Sequence, residues 1–199
     1  MKSICALARR PDVSRQAFQA YYENHHAPLA VKHFPFARYA RNHLLDCPDI
    51  GFDTLSEFWA VDIVKLAGLM NGPIGDILRA DERKFMDQSR SAPASAEEHV
   101  LSPGAGDGER CALLLDWSGD ADLVLPWARE VAERSPGVSL DFATSWQEPA
   151  FPARAVLWAP DREAAGDLPG AVTARALKVR HIETPREQLV ATTGAAEHK

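Results

Sequence analysis

Ser102-Pro103-Gly104-Ala105-Gly106-Asp107-Gly108 is the clearest break in the 199-residue chain. Small, polar and turn-forming residues follow one another without an apolar face, so the segment reads as a linker. Upstream, residues 2–8 are a short apolar stretch suited to a strand. Pro11-Asp12 marks a turn and Ser14 stands where a helix cap belongs. From Ala17 the positions Phe18, Tyr21, Tyr22, His25 and Leu29 keep helical spacing. Pro28 predicts that this helix ends near His26, because the residue before a proline avoids the α region. Residues 37–46 then alternate, with Tyr39, Arg41, His43 and Leu45 on one strand face and Ala40, Asn42 and Leu44 on the other. Cys47 to Gly51 is a loop, and Thr54 to Val61 is the next strand. Residues 62–70 and 74–87 read as one helix interrupted at Asn71-Gly72-Pro73, and residues 96–101 as a fourth strand. The order is β-α-β-β-α-β, a ferredoxin-like unit.

Downstream of the linker the same order begins again. Residues 110–117 read as a strand and 120–134 as a helix stopped by Pro136-Gly137. Two strands (138–147 and 153–159), a short helix (161–167) and a last strand (172–182) follow. Cys5-Ala6-Leu7 recurs as Cys111-Ala112-Leu113, and Phe58-Trp59-Ala60-Val61-Asp62 as Leu157-Trp158-Ala159-Pro160-Asp161, at equivalent points of the order. The segment His25 to Val31 has no counterpart in residues 120–137. A four-stranded sheet with helices on one face leaves the other face bare, and a second such sheet would cover it. The expected fold is therefore α+β: tandem ferredoxin-like repeats closing an intramolecular barrel with helices outside. The expected divisions are 1–101, the linker 102–108, a second half at 109–183 and a polar, fraying tail at 184–199.

The formal net charge of −6 argues against nucleic acid or an anionic membrane as partner, since both require clustered cationic charge. No apolar run approaches the length of a membrane span, and Arg9-Arg10 arrives too early for a signal-peptide core. Three widely spaced cysteines, Cys5, Cys47 and Cys111, form neither a disulfide framework nor a metal motif, which suits a reducing cytoplasm.

Tyr21-Tyr22-Glu23-Asn24-His25-His26-Ala27-Pro28-Leu29 carries the densest chemistry. Histidine both accepts and donates a proton near neutral pH. A helix ending at His26 would put unpaired carbonyls and the negative dipole pole beside it, favouring the protonated ring. Tyr22 and His26 share a helix face, and Tyr21 and His25 the neighbouring one. Tyr39, Asn42 and His43 follow on one strand, with Glu57 and Trp59 on the next. Tyr39 and His43 share a face with Asn42 opposite, so these groups cannot all line one pocket. His25, His26, His43 and Glu57 are metal-ligand types, but adjacent histidines diverge on a helix and no metal is expected. Asp81-Glu82, among Arg79, Arg83 and Lys84, reads as solvated helix surface. Trp117, Trp127, Trp146 and Trp158 read as core or barrel filling. No phosphate loop, nucleophile elbow or dinucleotide fingerprint occurs.

Phe18 to Leu29 resembles the hallmark of the EthD family. The likeness continues through Arg38-Tyr39-Ala40-Arg41-Asn42-His43, Ser56-Glu57-Phe58-Trp59, Ala80 to Asp87 and Glu97-Glu98-His99-Val100, across roughly residues 1–101. The family belongs to the dimeric α/β-barrel superfamily. Its members resemble dehydratases, cyclases and lactone isomerases of aromatic and polyketide metabolism, mostly without metal or cofactor, and others accompany ether-degrading oxygenases. The resemblance makes the histidine before the Ala-Pro step, His26, the catalytic candidate. No His-Ala-Pro motif follows the linker, which leaves one site and a structural second half.

The expected function is a cofactor-independent lyase, eliminating water or a small fragment from an aromatic or polyketide-like compound. His26 would move the proton; Tyr22, His43 and Asn42 would orient the substrate; Phe18, His25, Tyr39, Glu57 and Trp59 would complete the pocket. An isomerase or cyclase on the same substrates, a non-catalytic binding or accessory protein, and a haem or flavin handler are the rivals. The chain is expected as a monomeric pseudo-dimer or a homodimer.

Overall fold

The computed structural model describes residues 1–46, 50–104, 107–119 and 121–189, with only the backbone of Asp46 and Ile63. Cys47, two linker residues and the tail beyond Leu189 lie outside the described residues.

The strands are β1 (Lys2–Leu7), β2 (Phe36–Asp46), β3 (Thr54–Ala60), β4 (Ala92–Val100), β5 (Gly108–Trp117), β6 (Ser139–Ser145), β7 (Ala155–Ala159) and β8 (Val172–Glu183). They close into one antiparallel barrel in the order β1-β3-β2-β8-β5-β7-β6-β4. The first four strands therefore lie as β4-β1-β3-β2 and the last four as β8-β5-β7-β6. Pairing of β2 with β8 and of β4 with β6 seals the two seams and leaves no free sheet edge. β4 begins four residues before the expected strand, because Ala92–Ala96 pair with β1.

The helices are α1 (Arg15–Tyr21), α2 (Ala27–His33), α3 (Ile63–Met70), α4 (Pro73–Glu82) and α5 (Val124–Arg134). Ser14 caps α1, its hydroxyl accepting from the Ala17 N–H at 3.2 Å. The helix expected to stop at His26 does not stop. α1 passes into a π-helical turn over Tyr22–His26 and then into α2, and the Ala27 N–H bonds the Tyr22 carbonyl. Pro28 stands immediately after this turn, where the i→i−5 step has already displaced the regular hydrogen-bond ladder. The free helix end expected beside His26 is therefore not formed. α3 and α4 meet closely at Gly75, where a Cβ would stand 1.9 Å from the Met70 carbonyl oxygen. Among the described residues of the second half only α5 is a full helix; the expected helix at 161–167 is a 3-10 turn, Glu163–Ala165. No helix of the described residues is long and apolar enough to cross a membrane.

Strand alternation produces three interiors. Cys5 and Leu7 of β1 face the first-half helices and pack with Phe18, Tyr22, Phe34, Tyr39 and Phe85. Val124, Trp127, Ala128 and Val131 form the buried stripe of α5 over the second sheet. Ile4, Leu44, Leu55, Leu114, Val156 and Val179 point into the barrel lumen. Trp158 fills the lumen and Trp127 packs from α5 onto the second sheet, but Trp146 departs from the expectation and is 56% exposed. The tail is anchored as far as it is described: the Thr184 N–H bonds the Tyr39 carbonyl at 2.9 Å and Leu189 packs against the first-half helices.

The lumen changes character along its length. Above the apolar layer, Lys2 lies 2.8 Å from Glu57, 3.0 Å from Glu98 and 2.6 Å from Asp141. Asn42 joins the layer through Glu57, Arg110 and His181. Asp141 also accepts from the Trp158 indole at 2.7 Å, while its Oδ1 has no hydrogen-bond partner. Burial pushes the Asp141 carboxyl up to about 6, with Glu57 adding to the rise and Lys2 opposing it. The unfolded chain then releases this proton first as pH rises, so the group costs stability progressively from about pH 4 to 6 and fully above. Asp141→Asn is expected to improve in stability relative to the parent over that interval, read from urea midpoints at pH 4 and pH 7. A constant difference at both pH values would contradict the assignment.

Candidate functional site

A cavity of about 430 Å³ lies between the first sheet and its helices. Tyr22 and His26 come to it from the π turn, Phe34 from the end of α2, Phe36 and Tyr39 from β2, Phe58 from β3 and Cys5 from β1. The π turn sets the placement. It keeps Tyr22 and His26 buried on the inner face while turning Asn24 and His25 outward to solvent. His25 is exposed and packs at a tilt against Tyr21, with ring centroids 4.8 Å apart.

His26, 7% exposed, is held by Asp81: Nδ1 and Oδ2 are 3.0 Å apart. Asp81 also accepts from the Tyr21 hydroxyl at 2.7 Å and from Lys84 at 3.0 Å. Burial works against the Asp81 charge, but the hydrogen bonds from Tyr21, His26 and Lys84 outweigh it and hold the carboxyl below its usual range. An ionised Asp81 accepts, so Nδ1 carries a proton, and in the neutral ring Nε2 then keeps its lone pair. Nε2 has no hydrogen-bond partner among the described residues. The ring is packed against Phe85 and Tyr22 at 5.2 and 5.3 Å between centroids.

Tyr22 stands beside it. The Tyr39 hydroxyl donates to the Tyr22 oxygen at 2.9 Å, and Ser56 Oγ is 2.8 Å from the same oxygen. Burial pushes both phenols upward, so they remain protonated and act by hydrogen bonding. Burial, with Glu82 nearby, pushes the Cys5 thiol up to about 12, which makes it a wall and not a nucleophile.

The other residues expected at the site lie elsewhere. Asn42, Glu57 and Trp59 point into the lumen, on the opposite face of the sheet from the cavity, where Glu57 meets Lys2 and Trp59 donates to Glu98. Strand alternation prevents them from touching a ligand beside His26. His43 is on the correct face but does not line the cavity. Its Nε2 meets Glu23 at 2.6 Å and its Nδ1 meets Thr54 at 2.7 Å, so neither nitrogen is open to a ligand. Glu23 is buried, yet hydrogen bonds from His43 and Arg41 draw its carboxyl down to about 2. Phe18 lies beneath Tyr22 and Phe85 and supports the site from behind. No group of histidine, cysteine, aspartate and glutamate among the described residues is arranged to hold a metal ion.

Asp81 was read as solvated surface and is instead buried. The overlooked signal is its phase: Leu78, Asp81 and Phe85 are three and four residues apart, all on the inward face. Glu82, Arg79 and Gln88 of the same segment also line the cavity, and Gln147, after β6, reaches it from the second half. The second half therefore contributes to the wall as well as closing the barrel. Replacing Asp81 by asparagine keeps the shape but removes the charge that fixes the Nδ1–H form of His26. Turnover is expected to fall about tenfold or more with ligand binding retained, measured as kcat against KM; an unchanged kcat would contradict the role.

The chain closes an eight-stranded antiparallel barrel with its helices outside, an α+β architecture. Residues 10–89 match the model of the EthD domain. A protein from Lactobacillus acidophilus NCFM, provisionally designated a monooxygenase, is 14% identical with a TM-score of 0.55, over 90% of this chain and 92% of that one. Another of the same designation, from Fusobacterium nucleatum subsp. nucleatum, is 8% identical with a TM-score of 0.57, over 90% and 91%. An anthrone oxidase-like protein is 10% identical with a TM-score of 0.52, over 96% and 95%. At these identities the likeness establishes the fold alone. No curated protein matches the chain.

Proposed function

We propose that the chain is a cofactor-independent lyase that eliminates water or a small fragment from an aromatic or polyketide-like compound. The observation that carries this reading is the His26–Asp81 pair, set in the wall of a mainly apolar, aromatic-lined cavity. Nε2 takes a proton from a carbon next to a carbonyl of the bound compound. The electron pair forms the new double bond as the carbon–oxygen bond of the departing hydroxyl breaks. The imidazolium then returns its proton to that hydroxyl, which leaves as water, so the ring ends as it began. Tyr22, fixed by Tyr39 and Ser56 in the wall of the same cavity, offers a hydroxyl for holding a substrate oxygen. Phe34, Phe36 and Phe58 supply the apolar walls.

The test is incubation of the purified chain with a panel of hydroxylated aromatic and polycyclic ketones, followed by mass spectrometry. Loss of 18 mass units from a panel member, dependent on His26, is the expected result. Tight binding with every compound recovered unchanged would replace the lyase reading with that of a carrier.

A further inference from the structure

We propose that a second cleft, formed by Arg9, Arg15 and Arg90, binds a phosphate dianion such as the end of a phosphate monoester. The cleft encloses about 460 Å³ and is also bounded by Pro11, Gly51, Phe52 and Asp53. It shares no lining residue with the cavity at His26, so it stands independently of the function proposed above.

The three guanidinium groups come from separate elements and each is fixed by the protein. Arg9 donates from Nε to Asp53 at 3.2 Å and from Nη1 to the Val13 carbonyl at 2.7 Å. Arg15 donates from Nε to the same Asp53 oxygen at 2.8 Å. Arg90 donates from Nη2 to the Gly51 carbonyl at 2.9 Å. Gly51 has φ +91°, and a Cβ there would stand 3.3 Å from Arg90 Nη2, so glycine permits this close approach. The anchored groups keep unused N–H donors in a fixed fork, the geometry that receives two oxygens of one anion.

Charge decides between a structural cluster and a binding site. One arginine would neutralise Asp53, and the Arg9 backbone N–H already donates to it at 3.0 Å. Arg90 does not touch Asp53 at all. Three positive groups thus face one carboxylate, leaving an excess of two positive charges in a chain whose net charge is −6. Among the described residues Asp53 is the one acid lining the cleft, and the neighbouring Asp12 is paired with Arg10 at 2.6 Å. A dianion balances the excess, whereas a carboxylate leaves half of it.

Titration calorimetry with inorganic phosphate and with acetate, at constant ionic strength and pH 7.5, tests the assignment. Saturable phosphate binding about tenfold or more tighter than acetate is expected, weakened about tenfold or more by Arg90→Gln or Arg15→Gln. Arg90 is exposed and contacts no buried acid, so Arg90→Gln is the deciding variant, with its melting temperature in phosphate-free buffer as the folding control. His26→Ala is expected to bind phosphate as the parent does. Absence of saturable binding, equal binding of acetate, or phosphate binding unchanged by Arg90→Gln would overturn the proposal.

Discussion

His26→Ala is expected to lower turnover of the cavity's substrate by about 100- to 10,000-fold, the usual contribution of a positioned acid–base group. The fold should survive the change. The ring packs on Phe85 and Tyr22, and these retain Phe18, Tyr39 and Ser56 as neighbours. Asp81 loses one donor but keeps Tyr21 and Lys84. The loss should therefore fall on kcat, with ligand binding and melting temperature close to those of the parent. His43→Ala offers the contrast. It removes a buried ring that holds Glu23 and Thr54, so its main effect should be on stability. Full turnover by His26→Ala would remove the mechanism.

The largest effect on stability is expected from Lys2→Met. Its ammonium lies within 3.0 Å of Glu57, Glu98 and Asp141, all at the barrel's polar layer. Three carboxylates on one lysine make that charge indispensable once the group is folded. Without it Glu57 keeps Arg110, and Glu98 keeps Trp59. Asp141 keeps only an indole N–H and must take up a proton or remain an uncompensated buried charge. Removing one partner of such a buried set costs about 3–5 kcal/mol, visible as a fall in the urea midpoint at pH 7. Adding Asp141→Asn should restore part of the loss, since the neutral amide no longer requires the ammonium. A loss below about 1 kcal/mol, in the range of an exposed pair, would contradict the picture of a sealed polar layer.

Strand order was legible because turn signals and alternation are local. The polar linker, the Pro-Gly stop at Pro136-Gly137 and the alternation of Tyr39 to Leu45 all report on neighbouring residues. The continuous helix through Pro28 was not legible, because a π turn shifts the hydrogen-bond step just where the proline would otherwise clash. Site residues divide on the same principle. Tyr22 and His26, four positions apart on one helical face, line the same cavity, and Tyr39 joins them from β2. Asn42, Glu57 and Trp59 looked like site residues because strands seldom bury polar groups. Their partners turned out to be Lys2, Arg110, Glu98 and His181, brought together by barrel closure across 39 to 139 positions that local pattern does not reach. Asp81 was hidden by its charged neighbours, although its phase with Leu78 and Phe85 placed it inward.

The central claim is that Asp81 holds His26 with its proton on Nδ1 and Nε2 turned to a ligand. Long-range nitrogen–proton correlation NMR of the His26 ring reads this directly. The neutral ring should show the Nδ1–H form, converting toward the Nε2–H form in Asp81→Asn, and Nε2 should shift when a cavity-filling phenol such as 2-naphthol is added. A neutral ring already in the Nε2–H form, or an Nε2 resonance indifferent to bound ligand, would contradict the account.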